Sequence, residues 1–166
     1  MLIKDLSRPN SKLKSVVDDT KSDIGLLANK GNSILLLTDR NAPNKRVVKV
    51  NASNPTPENW VDVIPETENV LSVSKGGGYI FARYMKDATS LIQQFDLKGN
   101  KIRDIALPEV GSAGGFYGKD NQSKVYYSFS NYKTPRTIFS LDVKSGKSEV
   151  YNKSAVKFNS ENYESK

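Results

Sequence analysis

The side chains best equipped for chemistry are carboxylates in pairs, Asp18 beside Asp19 and Glu66 with Glu68. Close carboxylates can share a proton for acid–base work or grip a divalent cation. Both pairs fall at turns or strand ends, where solvation alone accounts for them, and no D-x-[DN]-x-[DN]-G calcium loop occurs. Two glycine runs, "KGGGY" at 75–79 and "VGSAGGFYG" at 110–118, raise the question of phosphate binding. A phosphate loop or dinucleotide fingerprint must open a helix, and these glycines feed apolar, strand-like segments instead. The first reads as a turn between strands, the second as a crossing where backbones approach closely. "FARYMK" at 81–86 and "SNYKTPR" at 130–136 interleave basic and aromatic residues as single-strand nucleic-acid platforms do. Rings used as packing mass, with polar residues in the turns, account for both, and no nucleic-acid partner is expected.

The missing residue types exclude more than the motifs include. There is no Cys and no His. Disulfides, thiolate nucleophiles, a Ser-His-Asp triad and histidine-based zinc sites therefore cannot be built from this chain alone. No catalytic residue, cofactor-binding residue or metal ligand is assigned, and no cofactor is expected. The net charge of +7 arises from 25 basic and 18 acidic residues. Its Lys residues are spread over turns, which matches an ordinary solvated surface rather than a nucleic-acid partner. No apolar run approaches the roughly 18 residues of a membrane span. "MLIKDLSRPN" lacks the apolar centre of a signal peptide, and no membrane partner is expected. The compartment stays open, because cytoplasm and periplasm both tolerate a chain without Cys.

The elements behind these motifs recur. Three apolar centres, "SILLLTD" from Ser33, "YIFARY" from Tyr79 and "KVYYSFS" from Lys124, align at Leu35, Ile80 and Val125 with spacings of 45 and 45. Each is preceded by a Gly-bearing segment and followed by a turn and two further apolar segments. The centres are short, β-branched or aromatic, and bounded by Gly, Asn, Asp and Pro, which predicts strands. Four strands in about 45 residues is the size of a β-propeller blade. "ILLL" and "YIFA" are apolar at consecutive positions, so both faces of those strands should be covered. The phrase "FDLKGNK" at 95–101 returns as "LDVKSGK" at 141–147. It predicts the end of a third strand and the hairpin into the fourth, with Asp96 and Asp142 turned away from their apolar neighbours and Gly99-Asn100 and Ser145-Gly146 in the tight turn. "IKDLSRPNSKLKSVV" places Asp5-Leu6 at the same point of a partial unit.

The expected fold is all-β, a partial β-propeller of about three and a half four-stranded antiparallel blades. The boundaries are a half blade at 1–22, blades at 23–68, 69–112 and 113–158, and an exit linker at 159–166. Three and a half blades cannot close a ring, so the expectation is a piece of a larger protein whose open edges self-associate.

The ordered set of motifs resembles the prolyl oligopeptidase family. "TDRNAPNKRVVKVNASNPTPENWVDVIPE" (38–66) is similar to the propeller segment in which Thr-Asn/Asp and a Pro-Asn turn precede a basic, aliphatic strand. "SLIQQFDLKGNKIRDIALPEVGSAGGFYGK" (90–119) resembles its Asp-Leu turn, Leu-Pro and Gly-rich crossing. "YYSFSNYKTPRTIFSLDV" (126–143) and "VKFNSENYESK" (156–166) resemble the last blade and the exit toward the catalytic domain. The resemblance implies the final part of a seven-bladed propeller over a Ser/Asp/His α/β-hydrolase domain. It implies hydrolysis of short proline-containing peptides after proline, with the propeller as a size-selecting lid. The chain holds no G-x-S-x-G nucleophile elbow, so the catalytic domain would be a partner in the parent chain and no catalytic residue carries over. The alternative is a stand-alone propeller-like module that binds a peptide or protein.

Overall fold

The computed structural model describes residues 1–155, so the expected linker at 159–166 and the "VKFNSENYESK" match lie outside the described residues. Apart from one 3-10 turn at Pro57–Asn59, the regular structure is all β. Strands β1 (Leu2–Ile3) and β2 (Lys14–Ser15) pair antiparallel. Three four-stranded antiparallel sheets follow, each with its strands side by side in chain order. The first contains β3 (Ile24–Lys30), β4 (Ser33–Thr38), β5 (Arg46–Asn51) and β6 (Val61–Ile64). The second contains β7 (Leu71–Gly76), β8 (Tyr79–Lys86), β9 (Thr89–Phe95) and β10 (Lys101–Asp104). The third contains β11 (Ser112–Tyr117), β12 (Lys124–Ser130), β13 (Thr137–Asp142) and β14 (Ser148–Asn152). The chain divides into two compact units, Met1–Leu71 and the part from Ser72 onward.

In the first unit one apolar cluster joins the β1–β2 pair to the first sheet. Val16 and Val17, just past β2, are buried against Ile34 and Leu36 of β4 and Val48 and Val50 of β5. Trp60 closes one end, its indole N–H donating to the Pro55 carbonyl at 2.9 Å. Backbone bonds from Val16 N to the Met1 carbonyl fix the entry of the chain. Glu66 accepts the Asn44 amide at 2.6 Å, and the Asn44 side chain donates to the Thr67 and Glu68 carbonyls. These bonds tie the β4–β5 connection to the exit from β6.

Turn geometry sets the repeat in the first sheet one residue away from the spacing expected from sequence. Lys30 opposes Ser33 across a two-residue Gly31-Asn32 turn, and β7 and β8 flank Gly77-Gly78. Both of these glycines have positive φ, 60° and 80°, as primed hairpin turns require. Ser33 thus corresponds to Tyr79, and Ile34 rather than Leu35 corresponds to Ile80. The cause is physical: "ILLL" is covered on both faces (Ile34, Leu35 and Leu36 are all buried), so it carries no alternation to mark its register.

The repeated Asp closes its own turn. Asp96 Oδ1 accepts the Lys98 and Asn100 amides at 2.8 and 2.9 Å, and Oδ2 accepts the Asn100 side chain. Asp142 accepts the Ser145 amide and hydroxyl, both at 2.8 Å. Asp5, in the partial unit, accepts the same two groups of Ser7. Each side chain therefore folds back into the loop as an Asx turn rather than simply pointing to the opposite face. Gly99 and Gly146 take the positive-φ positions. The Lys side chains of both phrases lie in solvent.

The Ser145 backbone and side-chain bonds hold the Asp142 carboxyl below its ordinary 3.8. Desolvation pushes Asp96 upward, but the Asn100 and Lys98 bonds outweigh it and its pKa is also lowered. A carboxyl with a depressed folded pKa adds stability above its unfolded value and loses that contribution as pH falls through the folded one. Thermal unfolding scanned from neutral pH to below 3.8 should show the melting temperature falling in acid. The double variant Asp96→Asn, Asp142→Asn should give a flatter profile, and an identical acid limb would contradict this role.

Candidate functional site

The second unit is organised by the joint between its two sheets. From the second sheet, Phe81 and Ile92, with Ile105 just past β10, enter a buried cluster with Ala113, Phe116, Val125, Phe129 and Leu141 of the third. Phe81 stacks on Phe116 at 5.1 Å, and Phe116 stacks on Tyr127 at 4.4 Å. Tyr127 in turn stacks on Phe139 at 5.3 Å. Each such pair contributes about 0.5–1.5 kcal/mol beyond simple burial. Phe116 occupies a β-bulge with φ of 60°, following Gly115 at 106°. That region is sparsely tolerated by a bulky side chain, and ring packing on both sides holds it there. Burial raises the pKa of the Tyr127 phenol, opposed by the neighbouring Ser148 hydroxyl.

Polar side chains cross the joint onto backbone atoms. The amide nitrogen of fully buried Gln94 donates to the Val143 carbonyl at 2.8 Å. Ser90 Oγ accepts the Ala113 amide at 3.1 Å, and the Ser90 amide donates to the Gly111 carbonyl. Arg83 donates to the Ala113 carbonyl and to Ser72 Oγ. Arg103 donates to the Lys144 carbonyl at 2.7 Å, so "LDVKSGK" is also where the neighbouring sheet takes hold. Lys75 pairs with Asp120 at 2.7 Å. A β-carbon on Gly76 would lie 2.6 Å from Val125 Cγ1 and 2.7 Å from the Gly118 nitrogen. The glycine-rich motifs are thus contact points and turns of this joint, as their strand context predicts.

The carboxylates that opened the question serve structure. Asp19 forms a close ion pair with Arg40, whose hydrogen bond lowers its pKa, and Asp18 is exposed. Glu66 holds the Asn44 amide. No group of three or more Asp or Glu residues able to hold a metal occurs among the described residues. Phe81 and Tyr84 of "FARYMK" are buried, while Tyr132 of "SNYKTPR" stands fully exposed. Sequence reasoning missed Gln94 and Arg103; Gln94 is buried in step with Ser90 and Ile92 along β9, but Gln93 beside it left the sequence no way to tell the two amides apart.

The description "prolyl oligopeptidase, N-terminal beta-propeller domain" belongs to a family model that matches residues 1–154. The chain belongs to this family. Its four-stranded sheets are propeller blades, and the all-β, partial-propeller reading holds. It is 50% identical to a prolyl endopeptidase of Elizabethkingia miricola over 98% of its own length and 23% of that protein's. It is 45% identical to the prolyl endopeptidase of Elizabethkingia meningoseptica over the same shares. The chain thus spans about a quarter of the length of these curated relatives. A solved prolyl endopeptidase, from work on inter-domain dynamics in catalysis and specificity, superposes with a TM-score of 0.84 at 35% identity, covering 93% of this chain and 23% of that one. Apo prolyl oligopeptidase B of Galerina marginata, at 21% identity over 96% of this chain and 24% of its own, shares the fold with a TM-score of 0.83.

The joint makes a sharp contrast between two glycines of this propeller. Gly76→Ala forces a β-carbon onto backbone and should cost about 1–3 kcal/mol, a drop of roughly 2–10 °C in melting temperature. Gly25→Ala meets nothing within 4 Å and should leave the melting temperature unchanged or slightly raised. Equal effects in differential scanning calorimetry would contradict the close approach at Gly76.

Proposed function

We propose that this chain is the non-catalytic propeller portion of a prolyl oligopeptidase-type serine endopeptidase. The carrying observation is the family match over residues 1–154 in a chain that spans 23% of its prolyl endopeptidase relatives and contains no His. The nucleophile, acid and base must then come from an α/β-hydrolase domain elsewhere in the parent chain. In that parent the propeller walls the chamber over the active site. It admits short proline-containing peptides and turns away folded proteins. Its role is steric, and the quantity that matters is the stiffness of the blade joints. The proposed blades keep the bounds expected from sequence, 23–68, 69–112 and 113–158, preceded by a half blade at 1–22; positions 156–158 lie outside the described residues, and Ser112 already belongs to β11 of the third sheet.

Two experiments test this. The 166-residue chain should release no chromophore from a Gly-Pro anilide, whereas the parent enzyme should. In the parent, Gly76→Ala should raise kcat/KM for long peptides relative to short ones, because a loosened joint filters size less strictly. An unchanged ratio in a folded, active variant would remove the lid role. The isolated chain should also self-associate. It exposes Leu2, Leu6 and Leu13 in one unit and Tyr117 and Tyr151 in the other, surfaces that further blades would cover. Sedimentation velocity at high concentration should show species larger than the monomer, and a single monomer boundary would contradict it.

A further inference from the structure

Two of the polar side chains at the joint of the second unit each carry a buried atom that no described residue answers. Gln94 is fully buried. Its amide nitrogen is committed to the Val143 carbonyl at 2.8 Å, yet its Oε1 is buried and accepts no hydrogen bond from any described residue. Arg103 lies directly opposite Gln94 across β9 and β10. Its Nη2 donates to the Lys144 carbonyl at 2.7 Å, yet its Nε–H is buried and finds no acceptor among the described residues. No carboxylate among those residues pairs with it either. An acceptor and a charged donor shut away in this manner each carry the desolvation cost of a lost partner, and folded proteins leave few such groups. Exchanging the oxygen and nitrogen of the Gln94 amide offers no remedy, because it would set Oε1 against the Val143 carbonyl.

The bonds already made fix where the shared partner sits. In a guanidinium group the Nε–H and one Nη2–H point the same way, as a parallel fork. With Nη2 on the Lys144 carbonyl, Nε–H is aimed at a point beside that carbonyl. With Nε2 on the Val143 carbonyl, Gln94 Oε1 is held to one side of it. Val143 and Lys144 are consecutive, so the donor and the acceptor flank one short piece of backbone at the entry to the β13–β14 turn. Gly146 sets the guanidinium from the other side: a β-carbon there would come 2.8 Å from both Cδ and Nη1 of Arg103.

The chemistry of the two atoms selects the ligand. A cation would suit Oε1 but is repelled by the guanidinium, and an anion would suit Nε–H but is repelled by the amide oxygen. The occupant must be neutral, must donate and accept at once, and must be small enough to lie between two packed sheets. We propose that the joint binds one buried water molecule, which accepts the Arg103 Nε–H and donates to Gln94 Oε1. Buried waters serve this purpose in other proteins, bonding two to four polar groups that direct contacts leave unsatisfied. Here the water completes a bond network from the last two strands of the second sheet to the hairpin of the third. The inference rests on the joint alone and is independent of the peptidase reading.

The test is a crystal structure of the full-length protein that carries this chain, refined with its ordered solvent. A water should lie within about 3.2 Å of both Gln94 Oε1 and Arg103 Nε. Gln94→Met, which removes the acceptor, should lack that water while Arg103 keeps its bond to the Lys144 carbonyl. In solution, oxygen-17 relaxation dispersion should count one fewer long-lived internal water in Gln94→Met than in the unaltered protein. A direct bond between Arg103 Nε and Gln94 Oε1 would overturn the proposal, as would a water held by only one of the two atoms or no water at all. An equal count of internal waters in the variant would overturn it as well. Peptidase activity enters neither readout.

Discussion

A four-stranded sheet that is apolar on both faces cannot stand alone in water, and this constraint governs the chain. Burial of apolar surface is the main favourable contribution to folding. Here it is achieved by laying sheets against one another rather than by wrapping helices over them. The column Phe81, Phe116, Tyr127, Phe139 is the physical form of that constraint. The close glycine contact at Gly76, the bulge at Phe116 and the ion pair of Lys75 with Asp120 all follow from bringing two sheets to ring-stacking distance. Where the covering sheet is lacking, as at Tyr126, the strand reverts to alternation.

Much of the architecture was legible because the repeat is written in turn chemistry. Gly77-Gly78, Asp96 with Gly99 and Asp142 with Gly146 each demand a particular backbone, and each appears where the spacing says. The register of the first sheet was not legible, since Ile34, Leu35 and Leu36 are interchangeable to any pattern of polarity. The two-residue turn at Gly31-Asn32 decides it. The role of the repeated Asp was half legible: its position marked a hairpin, but its grip on its own loop depends on the conformation of the loop amides.

The site was legible mainly by exclusion. A chain without His or Cys cannot assemble the familiar hydrolytic centres, and one member of each carboxylate pair turns out to be occupied, Asp19 by Arg40 and Glu66 by the Asn44 amide. The polar residues that matter most at the joint gave weak signals. Gln94 sits in "LIQQFDL" beside Gln93, and nothing in the composition says that one amide is fully buried and bonded to Val143 while its neighbour is not. The face of the sheet supplies that distinction, and it follows only once the neighbouring blade is in place.

The hydrogen bonds that Gln94, Ser90, Arg103 and one Arg83 guanidinium nitrogen make across the joint share a type of partner: main-chain atoms of the next blade. A grip on main-chain atoms reads the path of a strand and is indifferent to most of what that strand displays. The receiving blade is then free to drift in composition so long as its backbone runs the same course and stays slim at the contact. That tolerance matches the fold shared with prolyl oligopeptidase B of Galerina marginata, a TM-score of 0.83 retained at 21% identity. In this propeller, geometry is inherited through the backbone while the side chains remain available for divergence.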